Sequence, residues 1–352
     1  MYYQNPNIAR LQRSKFHEAR GEVLRLDMNE SPEGLPEGFV ERVKEKITPG
    51  LLASYPEKET LTALLAQQNK ISERELSITA GSDEAMRLLF ECFGEEGKEA
   101  VMAAPSFEMY RIYAEMTGMR RRTVEYEEDL TLSVPRLLKA IGPDTRLVIL
   151  LNPNSPIGTE YREEEVRAVI QKARDCGAVV VIDEAYHGFS SGTFLPLIKE
   201  YENLLVLRTF SKLFAMAGLR VGYAAGNEKL ISMLEKAQST FNVNTVGLLF
   251  AQELLQDPDL LQRQRQLEKE GHAWLEEALR QDGYRVFSRA GNWLLFYPRR
   301  GSAEIVRRLK EKKIFIRDYQ NGVLKGWLRV STGGLETMQK FYAAFCEAER
   351  EE

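Results

Sequence analysis

Three polar segments of the chain follow apolar runs and carry residue types that can do chemistry. Lys212 follows "VLRTFS", Asp183 follows "VVVI", and the segment "NPNSPIG" (residues 152–158) follows "LVILL". An acidic side chain at the end of a buried apolar strand costs free energy unless a positive or protonated group meets it. A lysine in a dry cleft has a depressed pKa and can act as an amine nucleophile. The two residue types together favour a site that needs both a reactive amine and a carboxylate.

This pair of residues predicts a site for pyridoxal phosphate. The lysine forms an imine with the cofactor, and the carboxylate keeps the ring nitrogen protonated so that the ring serves as an electron sink. The phosphate needs an anion site. The segment "AGSDEAM" (residues 80–86) offers a glycine turn that opens a helix, where free backbone N–H groups and the positive end of the helix dipole lie. Ser211 and Arg220 add a hydroxyl group and a cation.

The elements that position these residues follow an alternating pattern. Apolar, strand-like runs alternate with segments of helical periodicity from about residue 76 to residue 226. This alternation predicts an α/β domain built on a largely parallel sheet, in which ligands bind beyond the carboxyl ends of the strands. We expect Ser82 or Asp83 to cap the helix that follows the glycine turn.

The character of the sequence changes after about residue 240, where long helical segments are followed by short strands and a final helix from about residue 335. We therefore predict a large α/β domain over residues 49–240 and a smaller α+β domain over residues 241–352. The first 50 residues read as irregular, with "NESPEGLPEG" as a turn-rich loop. We expect residues 1–48 to pack with the small domain.

Composition excludes several classes of protein. The 352 residues are 43% hydrophobic and 28% charged, which is ordinary for a globular protein, and the net charge of −4 favours no nucleic-acid partner. The three cysteines are far apart and are expected to be free thiols, and the three histidines have no metal-ligand spacing, so no metal site is predicted. With neither a long apolar run for a membrane span nor a secretory signal, we expect a cytoplasmic location.

A series of motifs along nearly the whole chain resembles a known enzyme family. The motifs, in family order, are "LDMNESP", "SYPE", "AGSDEAMRLLF", "APSFEMY", "NPNSPIG", "VIDEAY", "RTFSKLFAMAGLRVGY", "FNVN", "FIRD" and "GWLRVSTGG". With these motifs the chain is similar to fold-type I, class I/II pyridoxal-phosphate aminotransferases, and it most resembles the histidinol-phosphate aminotransferase group. This resemblance implies a mostly parallel central sheet flanked by helices, a smaller α+β domain and a homodimer.

The resemblance implies a role for each matching residue around the cofactor. Lys212 would be the Schiff-base lysine and the base that moves the substrate α-proton. Asp183 would pair with the ring nitrogen, and Tyr186 would hydrogen-bond the ring hydroxyl. Phe107 would stack on the ring, and Tyr55 would reach the phosphate held by the neighbouring subunit. The residues expected around the phosphate are Gly81, Ser82, Asp83, Ser211 and Arg220.

On the substrate side, the resemblance implies that Arg329 clamps a carboxylate or its equivalent, that Arg317 contacts a substrate phosphate, and that Asn29 lies nearby. Two departures from the family pattern stand out. Ser155 aligns with the family asparagine that touches the ring hydroxyl, and Asn154 precedes it; we keep both as cofactor-binding candidates. Residues 11–22, "LQRSKFHEARGE", lack the tyrosine that helps members of the group to hold their substrate. The resemblance therefore does not decide whether this chain uses the imidazole-bearing substrate of the group.

The favoured function is an aminotransferase that moves an amino group, with glutamate as the expected donor, to a small phosphorylated carbonyl substrate through a Lys212 Schiff base. A decarboxylase of a phospho-amino acid, like threonine-phosphate decarboxylase, would use the same scaffold. A regulator that senses the cofactor would also need a DNA-binding domain. A plain nucleotide-binding protein would need a glycine-rich phosphate loop after a strand, and no predicted strand of this sequence is followed by one. Phe107 as a core aromatic and Arg317 as a surface ion pair are simpler structural interpretations.

Overall fold

The computed structural model describes residues 2–12 and 20–350 of the chain. Its strands are β1 (Leu24–Arg25), β2 (Leu76–Thr79), β3 (Glu99–Ala104), β4 (Arg120–Glu125), β5 (Thr145–Leu151), β6 (Val179–Asp183), β7 (Leu204–Thr209), β8 (Gly222–Gly226), β9 (Arg285–Phe287), β10 (Trp293–Tyr297), β11 (Ile314–Phe315), β12 (Arg317–Asp318) and β13 (Leu328–Ser331). Its helices are α1 (Pro6–Ala9), α2 (Glu37–Lys44), α3 (Pro49–Ala53), α4 (Glu59–Asn69), α5 (Gly81–Phe93), α6 (Glu108–Met116), α7 (Val134–Ala140), α8 (Glu163–Asp175), α9 (Glu228–Ala237), α10 (Thr245–Leu255), α11 (Pro258–Gln281), α12 (Ser302–Glu311) and α13 (Leu335–Arg350).

A seven-stranded sheet with the order β2-β8-β7-β6-β5-β3-β4 forms the centre of the larger unit. The pairings from β7 through β6, β5 and β3 to β4 are parallel, and β8 runs antiparallel between β7 and β2. The predicted α/β class with a largely parallel sheet is therefore confirmed. Because Asp183 ends β6 and Lys212 follows β7 closely, both side chains lie at the carboxyl edge of this sheet.

Strand β6 shows how the sheet is buried on both faces. Its side chains alternate between two apolar cores: Val180 and Ile182 belong to one, and Val181 belongs to the other. A strand buried in this way reads as a continuous apolar run, which is what the sequence shows. The alternation also sends the two carboxylates that follow, Asp183 and Glu184, to opposite faces.

The smaller unit is built on a four-stranded antiparallel sheet with the order β12-β13-β10-β9. Helices α11, α12 and α13 cover it around a core that includes Leu294, Phe296 and Phe341. Strand β1 pairs in parallel with β11, with Leu24 opposite Ile314. The N-terminal segment around β1 is therefore attached to the smaller unit.

The N-terminal residues are less irregular than expected. Residues 29–36 are irregular, as predicted for the turn-rich loop, but helix α2 already begins at Glu37, inside the predicted loop. Phe39 and Val43, spaced by one helical turn, pack into the core of the larger unit, whereas Leu26 packs into the core of the smaller one. The predicted domain boundaries at residues 48 and 240 stay predictions.

Helix α5, which follows the glycine turn, is not capped as expected. Ala80 occupies the N-cap position, and Ser82 and Asp83 lie inside the first helical turn, so neither side chain caps the helix. The carboxylate of Glu84 instead accepts a hydrogen bond from the Ala80 backbone N–H at 2.7 Å. The backbone N–H groups of the first turn therefore remain available at the carboxyl edge of the sheet.

Candidate active site

A cavity of about 290 Å³ opens at the carboxyl edge of the central sheet. It lies where β6 and β7 end and where α5 begins, as expected for a ligand site in an α/β sheet. Eight of the predicted site residues line it: Ser82, Asp83, Phe107, Asp183, Tyr186, Ser211, Lys212 and Arg220.

Gly81 approaches Arg220 closely at one end of this cavity, which Arg220 lines. Both residues have positive φ angles, 76° for Gly81 and 54° for Arg220. A Cβ atom added at Gly81 would lie only 2.6 Å from Nη2 of Arg220, so a larger residue would displace the guanidinium group. The glycine therefore lets a cation lie directly against the first turn of α5, whose N–H groups already favour an anion.

Ser211 extends the same end of the cavity. Its Oγ atom accepts a hydrogen bond from Arg220 Nη1 at 3.3 Å and lies 2.9 Å from the donating hydroxyl of Thr209. The Thr209 hydroxyl also accepts the Ser211 backbone N–H at 3.1 Å. A hydroxyl, a guanidinium group and a helix N-terminus thus meet at one place, which is the donor set that a phosphate group requires.

Asp183 is almost completely buried, with a relative exposure of 1%. Burial raises the pKa of its carboxyl group to about 6, although hydrogen bonds from the Tyr110 hydroxyl and the Ala185 N–H act to lower it. The Tyr110 hydroxyl lies 2.7 Å from Oδ2, and the Ala185 nitrogen lies 3.0 Å from Oδ1. No ion pair joins this carboxylate to a cation of the described residues, so a cationic ligand in the cavity would stabilise its ionised form.

Tyr186 lies on the wall of the cavity between Lys212 and the smaller unit. Its hydroxyl oxygen accepts a hydrogen bond from Asn29 Nδ2 at 3.0 Å, and its ring packs edge-on against Trp293. Lys212 Nζ lies 5.6 Å from the centre of the Tyr186 ring. The amine itself donates to the backbone carbonyl of Met28 at 2.8 Å. Asn29 therefore contacts Tyr186, whereas the sequence predicts it on the substrate side.

Arg329 and Arg317 are direct partners on the antiparallel strands β13 and β12. Residues paired in this way point to the same face of a sheet. Arg329 donates to the Asp27 carbonyl at 2.6 Å and to Ser155 Oγ at 3.3 Å, while its buried Nε has no hydrogen-bond partner. Within residues 2–12 and 20–350, neither arginine forms an ion pair with a carboxylate. The pair thus presents two uncompensated positive charges.

The two remaining predicted aromatic contacts are exposed. Phe107 precedes α6 and is 42% exposed, with its ring edge-on to Tyr110. Tyr55 is 74% exposed and stacks on Phe241, which is itself 50% exposed, at a ring separation of 4.1 Å. Tyr55 is not among the residues that line the cavity, as expected if the residue serves a neighbouring subunit.

The polar side chains of Asn154 and Ser155 are engaged with other parts of the chain. The Asn154 amide donates to the Pro105 carbonyl at 3.0 Å and accepts from the Ser106 hydroxyl at 2.8 Å, so its polar atoms are already engaged. Ser155 is buried against Arg329. Neither residue lines the cavity. The missing tyrosine concerns residues 11–22, of which residues 13–19 lie outside the described residues.

The cavity includes residues that the sequence reasoning missed. Thr209 lines it and Tyr110 supports Asp183, yet buried hydroxyls of this kind look like ordinary strand and helix residues in a sequence. Tyr110 follows Phe107 at a helical spacing, which was the only available signal. Met28 contributes through its backbone carbonyl, so its side-chain type carries no signal at all.

These residues fit pyridoxal phosphate on structural grounds. A phosphate matches the Ser211–Arg220 end with its glycine cradle, a protonated ring nitrogen matches the buried carboxylate of Asp183, and Lys212 lines the same cavity. When bound, this cofactor supplies an electron sink and a carbon that carries an amino group between two substrates.

Comparisons with known proteins identify the family of this chain. Residues 22–345 match the family model described as aminotransferase class I and II. The chain is 33% identical over 311 residues to a histidinol-phosphate aminotransferase of Caldanaerobacter subterraneus, covering 87% of this chain and 88% of that protein. It is 35% identical over 244 residues to a histidinol-phosphate aminotransferase of Pyrococcus furiosus, covering 69% of this chain and 70% of that protein.

The fold is shared with solved structures. The histidinol-phosphate aminotransferase of Sinorhizobium meliloti, solved in complex with pyridoxal-5'-phosphate, superposes with a TM-score of 0.88 at 23% identity over 99% of this chain and 98% of that one. No helix among the described residues is long and apolar enough to cross a membrane. The chain belongs to the aminotransferase class I and II family of pyridoxal-phosphate enzymes, close to the histidinol-phosphate aminotransferase group.

Proposed function

We propose that this transaminase moves an amino group from glutamate to a small phosphorylated carbonyl substrate of the histidinol-phosphate aminotransferase type. The observation that carries the proposal is the Arg317–Arg329 pair. Two like charges directly opposite each other on paired strands destabilise a sheet, and a bound anion removes that penalty. Arginine guanidinium groups bind phosphate and carboxylate in fixed, often bidentate geometry, so this pair suits an anionic substrate.

In this proposal each residue of the cavity has a separate role in binding the cofactor or moving a proton. Ser211, Arg220 and the first turn of α5 hold the cofactor phosphate, and Asp183 pairs with the ring nitrogen. Lys212 would hold the cofactor through a Schiff base, and its free amine would move the proton of the substrate α-carbon. Its place in the cavity lining, with Nζ 5.6 Å from the centre of the Tyr186 ring, supports this role.

Two further parts of the proposal concern the hydroxyl group of Tyr186 and the exposed aromatic ring of Tyr55. Because Ser155 replaces the family asparagine and lies against Arg329, Tyr186 is the residue proposed to donate to the ring hydroxyl. The exposed Tyr55–Phe241 stack supports a homodimer in which Tyr55 reaches the partner's cofactor phosphate. A cytoplasmic location stays a prediction.

Glutamate and histidinol phosphate test the two halves of this function separately. The purified, cofactor-loaded protein should lose its yellow colour when L-glutamate is added, and it should form glutamate from 2-oxoglutarate when histidinol phosphate is supplied as the amine. A colour that glutamate leaves unchanged would argue against glutamate as donor. Release of carbon dioxide from O-phosphothreonine, without amino transfer, would instead establish the decarboxylase.

The Arg317→Gln variant tests the phosphate contact. Hydrogen bonds between an arginine and a charged group are worth about 1.5–3 kcal/mol, so KM for histidinol phosphate should rise about tenfold to a hundredfold while the glutamate step is unchanged. Arg285→Gln is a matched control, because Arg285 is an exposed arginine on β9 of the same sheet. Equal KM values for the two variants would refute the contact.

A further inference from the structure

We propose that Asn29 and Asn292 are positioning residues that fix the direction in which the Tyr186 hydroxyl donates its hydrogen bond. The inference rests on the proposed function, in which that hydroxyl holds the ring hydroxyl of the cofactor. It changes the role of Asn29 from a substrate contact to a support for Tyr186, and it adds Asn292, which no sequence motif indicated.

The first step is the contact between Asn29 and Tyr186. A phenol has one proton to donate, and its oxygen can also accept. Because the Tyr186 oxygen accepts from Asn29 Nδ2 at 3.0 Å, its own proton is left to donate in another direction. Tyr186 lines the cavity, where the cofactor ring would lie. A phenol that accepts a hydrogen bond also becomes a stronger donor, since bonds in a chain polarise one another.

The second step is that Asn29 is itself held in one orientation. Its side-chain oxygen accepts from the Ser331 hydroxyl at 3.3 Å, which leaves the amide nitrogen facing Tyr186. The Ser331 oxygen also accepts the Asn29 backbone N–H at 2.8 Å. Asn29 has a φ of 55°, a left-handed conformation that non-glycine residues adopt at a cost. Its surroundings must therefore hold this conformation in place.

Asn292 supplies the remaining support. Its Nδ2 donates to the Asn29 carbonyl at 3.1 Å, and the residue is only 2% exposed. Its side-chain oxygen is buried without a partner, which costs free energy that an apolar residue would avoid. The bond to Asn29 is thus the one hydrogen bond that the described structure records for this side chain, and it ties Asn29, the partner of Tyr186, to the residue directly before β10.

The segment that contains Asn29 contacts a predicted site residue at each of three consecutive positions. The Asp27 carbonyl accepts from Arg329, the Met28 carbonyl accepts from Lys212, and Asn29 donates to Tyr186. Asn292 and Ser331 therefore fix a segment on which three predicted site residues depend, and the direction of the tyrosine bond is its most specific consequence.

The test is a pH titration of the visible absorbance of the cofactor-loaded protein. A donor to the ring oxygen stabilises the deprotonated Schiff base most, because the negative charge of that oxygen is then uncompensated. Loss of the donor should raise the pKa of this titration. We expect a rise of about one pH unit for Tyr186→Phe and for Asn29→Gly, and a smaller rise for Asn292→Ala. Glycine accepts the φ of position 29 without strain.

Asn203→Ala is the matched control. The Asn203 amide also donates to backbone carbonyls and has a buried, unpaired oxygen, but it lies before β7 at the opposite edge of the sheet. This variant should lose stability and keep the wild-type titration. The charged groups that share the cavity, Glu30, Asp83, Asp183, Lys212 and Arg220, are unchanged in every variant.

A double-mutant cycle separates positioning from general loosening of the site. If Asn29 acts through Tyr186, then Asn29→Gly should add little to the shift in the Tyr186→Phe background. An additive shift, or a normal titration in both asparagine variants while Tyr186→Phe is shifted, would overturn the inference alone. A wild-type protein that takes up no cofactor, and therefore shows no titration, would overturn the proposed function together with it.

Discussion

Two adjacent carboxylates, Asp183 and Glu184, have opposite surroundings. Glu184 is fully buried and forms an ion pair with Arg208, with 2.9 Å between Oε2 and Nη2, and it also accepts from the Thr193 hydroxyl and the Phe194 N–H. Asp183 is equally buried but has no arginine or lysine in ion-pair contact among the described residues. The charge of Glu184 is therefore compensated within the fold, whereas that of Asp183 is not, as expected for a carboxylate that binds a cationic ligand.

The difference follows from the alternation of β6. Asp183 is directed to the face of Val181, where the cavity lies, and Glu184 is directed to the face of Ile182, where the core is closed. A carboxylate that the chain buries without a fixed cation, and whose pKa is raised by that burial, is typical of a functional site. Three substitutions test this comparison.

Arg208→Met should have the largest effect. It leaves Glu184 charged and buried without its partner, so the free energy of unfolding should fall by about 3–5 kcal/mol. The double variant Glu184→Gln/Arg208→Met should recover most of that loss. Arg167→Met, which breaks the exposed pair with Glu200, is the control and should cost less than about 1 kcal/mol. Urea denaturation measures all three, and a loss no larger than the control's would contradict the structural role.

Asp183→Asn should act in the opposite direction in the cofactor-free protein. A folded-state pKa raised from 3.8 to about 6 means that the folded protein binds more protons between these values, so its stability falls as the pH rises through that window. At pH 7 the wild type should therefore carry a penalty of about 3 kcal/mol that the variant lacks. Urea denaturation at pH 4 and pH 7 measures this difference. Identical pH dependence in the two proteins would contradict it.

The same variant should lose function even though it gains stability. An amide cannot pair with a protonated ring nitrogen as a carboxylate does, so the glutamate half-reaction should slow by at least about a hundredfold, as expected for breaking a buried ion pair. A stable and fully active Asp183→Asn protein would remove the distinction between the two carboxylates.

Tyr110→Phe should have the smallest effect. It removes one hydrogen bond to Asp183 while the ring still packs, so the loss at pH 7 should be about 2 kcal/mol. Because this bond lowers the pKa of Asp183, its removal should also extend the pH-dependent window above pH 6. An unchanged window, followed by denaturation across the pH range, would mean that Tyr110 only packs.

The sequence predicts the central sheet well because buried parallel strands leave a strong signal. One apolar run ends at Leu151 and another ends directly before Asp183, and both proved to be strands of that sheet. Helix α2 was missed, because the turn-rich composition of residues 29–38 hid the start of a short helix whose burial depends on distant residues.

The candidate site could be predicted only in part, for a physical reason. Lys212 and Asp183 carry charges whose position after buried strands is informative in itself, and Arg220 lies in the same motif as Lys212. The supports of the site are different, since Asn292 and Ser331 reach Asn29 across more than 250 residues, and Met28 acts through its backbone. Contacts of this kind depend on tertiary structure and have no local pattern.

We propose that the amine of Lys212 carries the cofactor in the cavity that it shares with Asp183, a carboxylate with no ion-pair partner among the described residues. Borohydride reduction of the cofactor-loaded protein, followed by mass mapping of its peptides, tests it most directly. The account predicts a pyridoxyl phosphate group on Lys212, and none there in a Lys212→Arg variant. A cofactor reduced onto a different lysine, or a protein that retains none, would contradict it.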